Sequence, residues 1–67
     1  MSRFEMTFST DNDAFAQGNR ADEIARILTE VADALRSDGM SAFTGGVIRV
    51  RDINGNRVGF ATCEAPE

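Results

Sequence analysis

The stretch V-I-R-V-R-D-I-N-G-N-R-V-G-F-A-T-C, Val47 to Cys63, decides the fold. Two runs rich in β-branched and aromatic residues flank Asp52 to Asn56, whose composition is that of a reversing turn, so the segment reads as a β-hairpin. Its register follows from which faces the apolar residues share. A two-residue Asn54-Gly55 turn pairs Val50 with Gly59 and Arg49 with Phe60, mixing charge and aromatic on one face. A three-residue Ile53-Asn54-Gly55 loop instead pairs Val50 with Val58 and Ile48 with Phe60, gathering all four apolar residues on one face. It also makes Asp52 the first residue of a type I turn and puts Gly55 at the left-handed position of the following bulge. The bulged turn is therefore expected, with Phe60 facing inward. The opposite face then carries Arg49, Arg51 and Arg57, with Arg51 directly across from Arg57. Like charges so placed repel unless an acid such as Glu5 or Asp52 lies between them.

Upstream of the hairpin, Ala21, Ile24, Leu28, Val31 and Leu35 recur at helical spacing, flanked by Ala25, Ile27 and Ala32. Asn19 stands where an N-cap belongs, Asp22 and Glu23 lie in the first turn, and Gly39 is placed to end the helix. The other side of this helix shows Asp22, Glu23, Arg26, Thr29, Glu30, Asp33 and Arg36. Further upstream Arg3 to Ser9 alternates, with Phe4, Met6 and Phe8 on one face, the period of a half-buried strand. Thr10 to Asp13 is a turn, Ala14, Phe15 and Ala16 return to the core, and Gln17-Gly18 breaks the chain again. Met40 to Gly46 reads as a loop and Glu64 to Glu67 as a short acidic tail that frays.

The expected architecture is α+β: one β-α-β-β domain over residues 1–67, with a single amphipathic helix on one face of a three-stranded sheet that ends in a hairpin. A right-handed crossover makes the first two strands parallel. The order stays open, and 1-3-2 makes every neighbouring pair antiparallel.

Composition narrows the function. The 67 residues contain no His, Lys, Tyr or Trp and one Cys, while eleven carboxylates face seven arginines for a formal net charge of −4. The usual bases and nucleophiles are missing, and Cys63 has no His to activate it, so no enzyme and no catalytic residue is expected. No cofactor and no metal is expected either. Asp11, Asp13 and Asp22 match three positions of a calcium loop, but Phe15 and Ala16 stand where a ligand and a glycine are required. Asp52, Asn54 and Asn56 start a second match that Arg57 and Cys63 break. With no leader-like segment between Met1 and Ser9 and no long apolar run, the expected location is cytoplasmic.

Three surfaces are candidates for contact. Asp11, Asp13, Asp22, Glu23, Glu30 and Asp33 form an acidic loop and helix face whose charges resemble a phosphate backbone; Arg26 and Arg36 interrupt it and offer ion pairs instead. Met40 and Phe43 are apolar residues in a loop, fit either to anchor an interface or to cover the open end of the core. Arg49, Arg51 and Arg57 suit phosphate contacts, but the net negative charge and an inward Phe60 weigh against direct nucleic-acid binding.

The segments F-S-T-D-N-D-A-F at Phe8 to Phe15, A-D-E-I-A-R-I-L at Ala21 to Leu28, and R-D-I-N-G-N-R-V-G at Arg51 to Gly59 resemble a family of small acidic proteins encoded by phages and other mobile elements. These motifs are structural, a strand end, a helix start and a hairpin turn, so the resemblance carries no active site. Proteins of that setting include anti-CRISPR inhibitors, some of which mimic DNA, and this chain is similar to them in size, charge and want of catalytic residues. The resemblance implies a non-enzymatic inhibitor, monomeric or weakly self-associating, whose partner is a basic host protein such as a subunit of a Cascade-type CRISPR effector. The alternatives are a small phage assembly protein that self-associates, and a weak nucleic-acid binder acting through Arg49, Arg51 and Arg57.

Overall fold

The computed structural model describes residues 3–64. Of the expected tail Glu64 to Glu67, Glu64 instead ends the last strand, and residues 65–67 lie outside the described residues. The chain runs β1 (Arg3–Phe8), a 3-10 turn (Asp13–Phe15), α1 (Arg20–Asp38), a second 3-10 turn (Gly39–Ala42), β2 (Val47–Arg51) and β3 (Arg57–Glu64). The expected α+β class and element order are present, with one helix and a three-stranded sheet. The sheet order is β1-β3-β2, and both neighbouring pairs are antiparallel. β1 and β2 therefore point the same way, as a crossover through α1 requires, but they are not neighbours. The hairpin returns β3 into the gap between them, giving a split β-α-β arrangement.

The hairpin turn forms as its residues predict. The Gly55 amide donates to the Asp52 carbonyl at 3.0 Å, the Asp52 amide to the Asn56 carbonyl at 2.9 Å, and Gly55 sits at φ +88°. Arg51 stands across from Arg57. Beyond that pair the expected register fails. A bulge at Val58 shifts the ladder, so Val50 pairs with Gly59, Arg49 with Phe60 and Ile48 with Ala61. Phe60 is turned away from the helix and is 47 % exposed, while Ala61, fully buried, takes the central inward position. The hairpin alone favours Phe60 inside; the third strand reverses that choice. Met6 of β1 and Ile48 of β2 flank Ala61 on either side, and together they fill the layer under the helix. Gly59 is needed in the same register. A Cβ there would collide with the Thr7 carbonyl oxygen and stand 2.5 Å from Phe8 Cα, so β1 closes on β3 only over a glycine.

The helix also differs from its expected orientation. Its buried line is Glu23, Ile27 and Val31, with Ile24 and Leu35 partly buried, whereas Leu28 is 50 % exposed. The apolar stripe has thus rotated about the axis, and the rotation draws Glu23 inside. Asn19 makes no side-chain cap bond; its backbone carbonyl accepts the Glu23 amide at 2.9 Å. Gly39 closes the helix at φ +58°, with its amide on the Leu35 carbonyl. The core comprises Phe15, Ile27, Val31, Ile48, Val50 and Ala61. Phe15, delivered by the first 3-10 turn, stacks on Phe8 with ring centres 6.3 Å apart. Phe43 packs against the core and meets Phe4 edge-on at 6.4 Å.

Candidate interaction surfaces

Two buried carboxylates organise the end of the molecule where the hairpin turn, the first 3-10 turn and the start of α1 meet. Glu23, 5 % exposed, accepts from Arg26 Nε at 2.8 Å and Arg26 Nη2 at 2.9 Å, a two-point guanidinium contact. Its second oxygen also accepts the Ile53 backbone amide at 2.8 Å. Arg26 Nη2 reaches on to the Arg51 carbonyl at 3.0 Å, so one Glu–Arg pair ties the helix to the chain on either side of Asp52, where β2 enters the turn. The Arg26 guanidinium is the main cause holding the Glu23 carboxyl below its ordinary value; burial opposes it, and the Ile53 amide adds to the lowering.

Asp52, 4 % exposed, has no arginine partner among the described residues. Neutral donors satisfy it. Oδ1 accepts the Asn54 and Asn56 amides at 3.0 and 2.9 Å, and Oδ2 accepts Asn12 Nδ2 at 2.9 Å and Asn56 Nδ2 at 3.3 Å. The Asn12 bond is the largest cause lowering its carboxyl below the usual value. This geometry explains the D-x-N-x-N spacing that resembles the start of a calcium loop. Asn54 donates to the carboxylate through its backbone amide, and Asn56 through both its amide and its side chain.

The acidic face predicted from sequence is therefore divided. Glu23 is removed from it, a correction forced by the rotation of the helix and the demand of the Ile53 amide. Glu30 is ion-paired with Arg26, and Asp33 with Arg36 at 3.2 Å. Asp11, Asp13 and Asp22 are exposed and in no ion pair among the described residues. Asp11 meets only the Ser9 hydroxyl, at 3.3 Å. Asp13 and Asp22 lie at the stapled end, since Asp13 lines a shallow hollow with Asn12, Asn54 and Asn56 and Asp22 lines another with Ile53 and Arg26; Asp11 precedes Asn12, whose side chain bonds Asp52.

In the predicted loop, Met40 is exposed while Phe43 is engaged with Phe4 and the core. Phe43, partly buried, thus helps to close the end of the core.

The face of the sheet opposite the helix carries the arginines, as expected, but also Phe60, which the sequence reading placed inside. Thr7, Phe60 and Arg49 form one row across the three strands, and Arg51 and Arg57 face each other beyond it. Arg3, by contrast, is paired with Glu5 at 2.9 Å. Arg49 and Arg51 make only long contacts of 3.4 Å to the Thr44 and Gly55 carbonyls. No carboxylate pairs with Arg49, Arg51 or Arg57 among the described residues. The signal for an outward Phe60 lay in Gly59, whose lack of a side chain marks where a neighbouring strand comes close. Cys63, the one thiol, is half-buried on β3.

No family model, curated protein or solved structure matches this chain.

Proposed function

We propose that this chain is a non-enzymatic inhibitor that works by occupancy. It docks its acidic end on a basic nucleic-acid-binding site of a host protein, in the manner of DNA-mimicking anti-CRISPR proteins. The observation that carries this reading is the set of three exposed carboxylates, Asp11, Asp13 and Asp22, with no ion pair among the described residues, near elements pinned together by Asp52 and Glu23. Negative charge held on a preorganised frame loses little conformational freedom on binding and steers encounter with a basic groove. The interface is smaller than the six-residue acidic face expected from sequence, because Glu23 is buried against Arg26 and the exposed Glu30 and Asp33 each face an arginine in a surface pair. The lack of His, Lys and Tyr supports binding over catalysis.

The test is a competition titration on a purified host CRISPR effector complex holding fluorescent target DNA. Added protein displaces the DNA stoichiometrically if the reading is right. Undisturbed DNA binding, together with a tight homo-oligomer in sedimentation, would replace it with the assembly-protein reading.

A further inference from the structure

We infer that the helix-free face of the sheet, centred on Phe60, binds single-stranded nucleic acid. Four observations converge on one occupant. Phe60 presents its ring at 47 % exposure in the middle of the face, where no element of the described chain covers it. Arg49 lies directly across from it on β2, and Arg57 and Arg51 form the next row. Arg3, Arg26 and Arg36 have carboxylate partners in a chain with an excess of acids, whereas Arg49, Arg51 and Arg57, like Arg20 on the helix, have none among the described residues. Two guanidinium groups facing each other across a ladder repel, and an anion placed over them removes the repulsion. Finally, Val47, Arg49, Arg57, Gly59 and Phe60 line a hollow of about 240 Å³, apolar at the floor and cationic at the rim.

An aromatic floor beside guanidinium groups matches a base stacked on Phe60 with its flanking phosphates on the arginines. A duplex buries its base faces between neighbours, so only an unpaired strand can use the Phe60 ring. The surface is separate from the carboxylates of the acidic end, so this inference stands or falls apart from the inhibitor reading. The net charge of −4 works against any polyanion at long range, so affinity is modest and depends steeply on salt.

The experiment is fluorescence anisotropy with a labelled single strand of about 12 nucleotides and the matching duplex. Saturable binding is expected for the single strand and weaker binding for the duplex. Three phosphate contacts at about 0.7 counterions each give a log–log salt slope near −2, so affinity falls about twentyfold between 50 and 200 mM salt. Phe60→Ala weakens binding about fivefold or more, and Arg49→Ala with Arg57→Ala, which leaves one of the three contacts, lowers the salt slope to about −0.7. Both variants keep the wild-type circular dichroism spectrum, because these side chains lie outside the core. Asp11→Asn with Asp22→Asn leaves the single-strand affinity unchanged or raises it. Equal affinity for duplex and single strand, indifference to Phe60→Ala, or no binding at low salt overturns the inference. So does a Phe60-dependent dimer in sedimentation, which would make a second copy of the chain the occupant.

Discussion

At the scale of single residues, the fold turns on side chains whose roles oppose their usual ones. Glu23 and Asp52 are carboxylates placed inside, where each satisfies backbone amides that the hairpin turn would otherwise leave without partners. Both carboxyls are held below their ordinary values of 4.5 and 3.8, so the folded protein binds fewer protons in acid than the unfolded chain does. Their contribution to stability is complete above those ordinary values and is lost as pH falls through the lower, folded-state ones. Thermal midpoints of the wild type should hold level near neutrality and decline from about pH 5 downward. The Glu23→Gln, Asp52→Asn variant should start lower at neutrality and show a flatter acid limb, measured by circular dichroism melts. Gly59 is decisive for a different reason, the close approach of the β1 backbone. Gly59→Ala is expected to cost about 1–3 kcal/mol in urea denaturation, because the added methyl meets the β1 backbone rather than a side chain that can move aside. The turn at Asp52 was legible in the sequence because its cues are local: a short carboxylate, two asparagines and a glycine. The burial of Glu23 was not, since it depends on an amide of Ile53, thirty positions away in the chain.

At the scale of elements, periodicity located each strand and the helix but not the way they face. The helix pattern contains two overlapping apolar lines, one through Leu28 and one through Ile27, and propensity does not choose between them. Packing on a narrow sheet does, and it buries Ile27 and Val31 while leaving Leu28 half in solvent. Ile27→Ala should therefore destabilise by about 2–5 kcal/mol, and Leu28→Ala by less than about 1 kcal/mol. Equal costs from chemical denaturation of the two variants would put Leu28 in the core beside Ile27 and contradict this orientation of the helix. The hairpin taught the same lesson. Treated as two strands, its best register places four apolar residues on one face; as the middle and edge of three strands, it places Ala61 between Met6 and Ile48 and sends Phe60 outward. A tertiary partner chose the register, and the bulge at Val58 is how the ladder reconciles it with the turn.

At the scale of the whole molecule, charge divides by task. Glu23, Glu30 and Asp33 join arginines within the fold, Asp52 joins neutral donors, and Asp11, Asp13 and Asp22 stand outward at the stapled end. Residue counts alone describe an acidic surface; the fold shows which acids are buried, Glu23 and Asp52, and which face arginines at the surface, Glu30 and Asp33. The most direct test compares two charge reversals in the competition titration, Asp11→Arg with Asp13→Arg and Asp22→Arg against Glu30→Arg with Asp33→Arg. The first set should raise the concentration needed for half displacement by 100-fold or more, on the order of 3 kcal/mol. The second should change it by less than about tenfold, since those acids already face arginines. Full inhibition by the first variant, with loss only in the second, would place the interface on the helix and contradict the account.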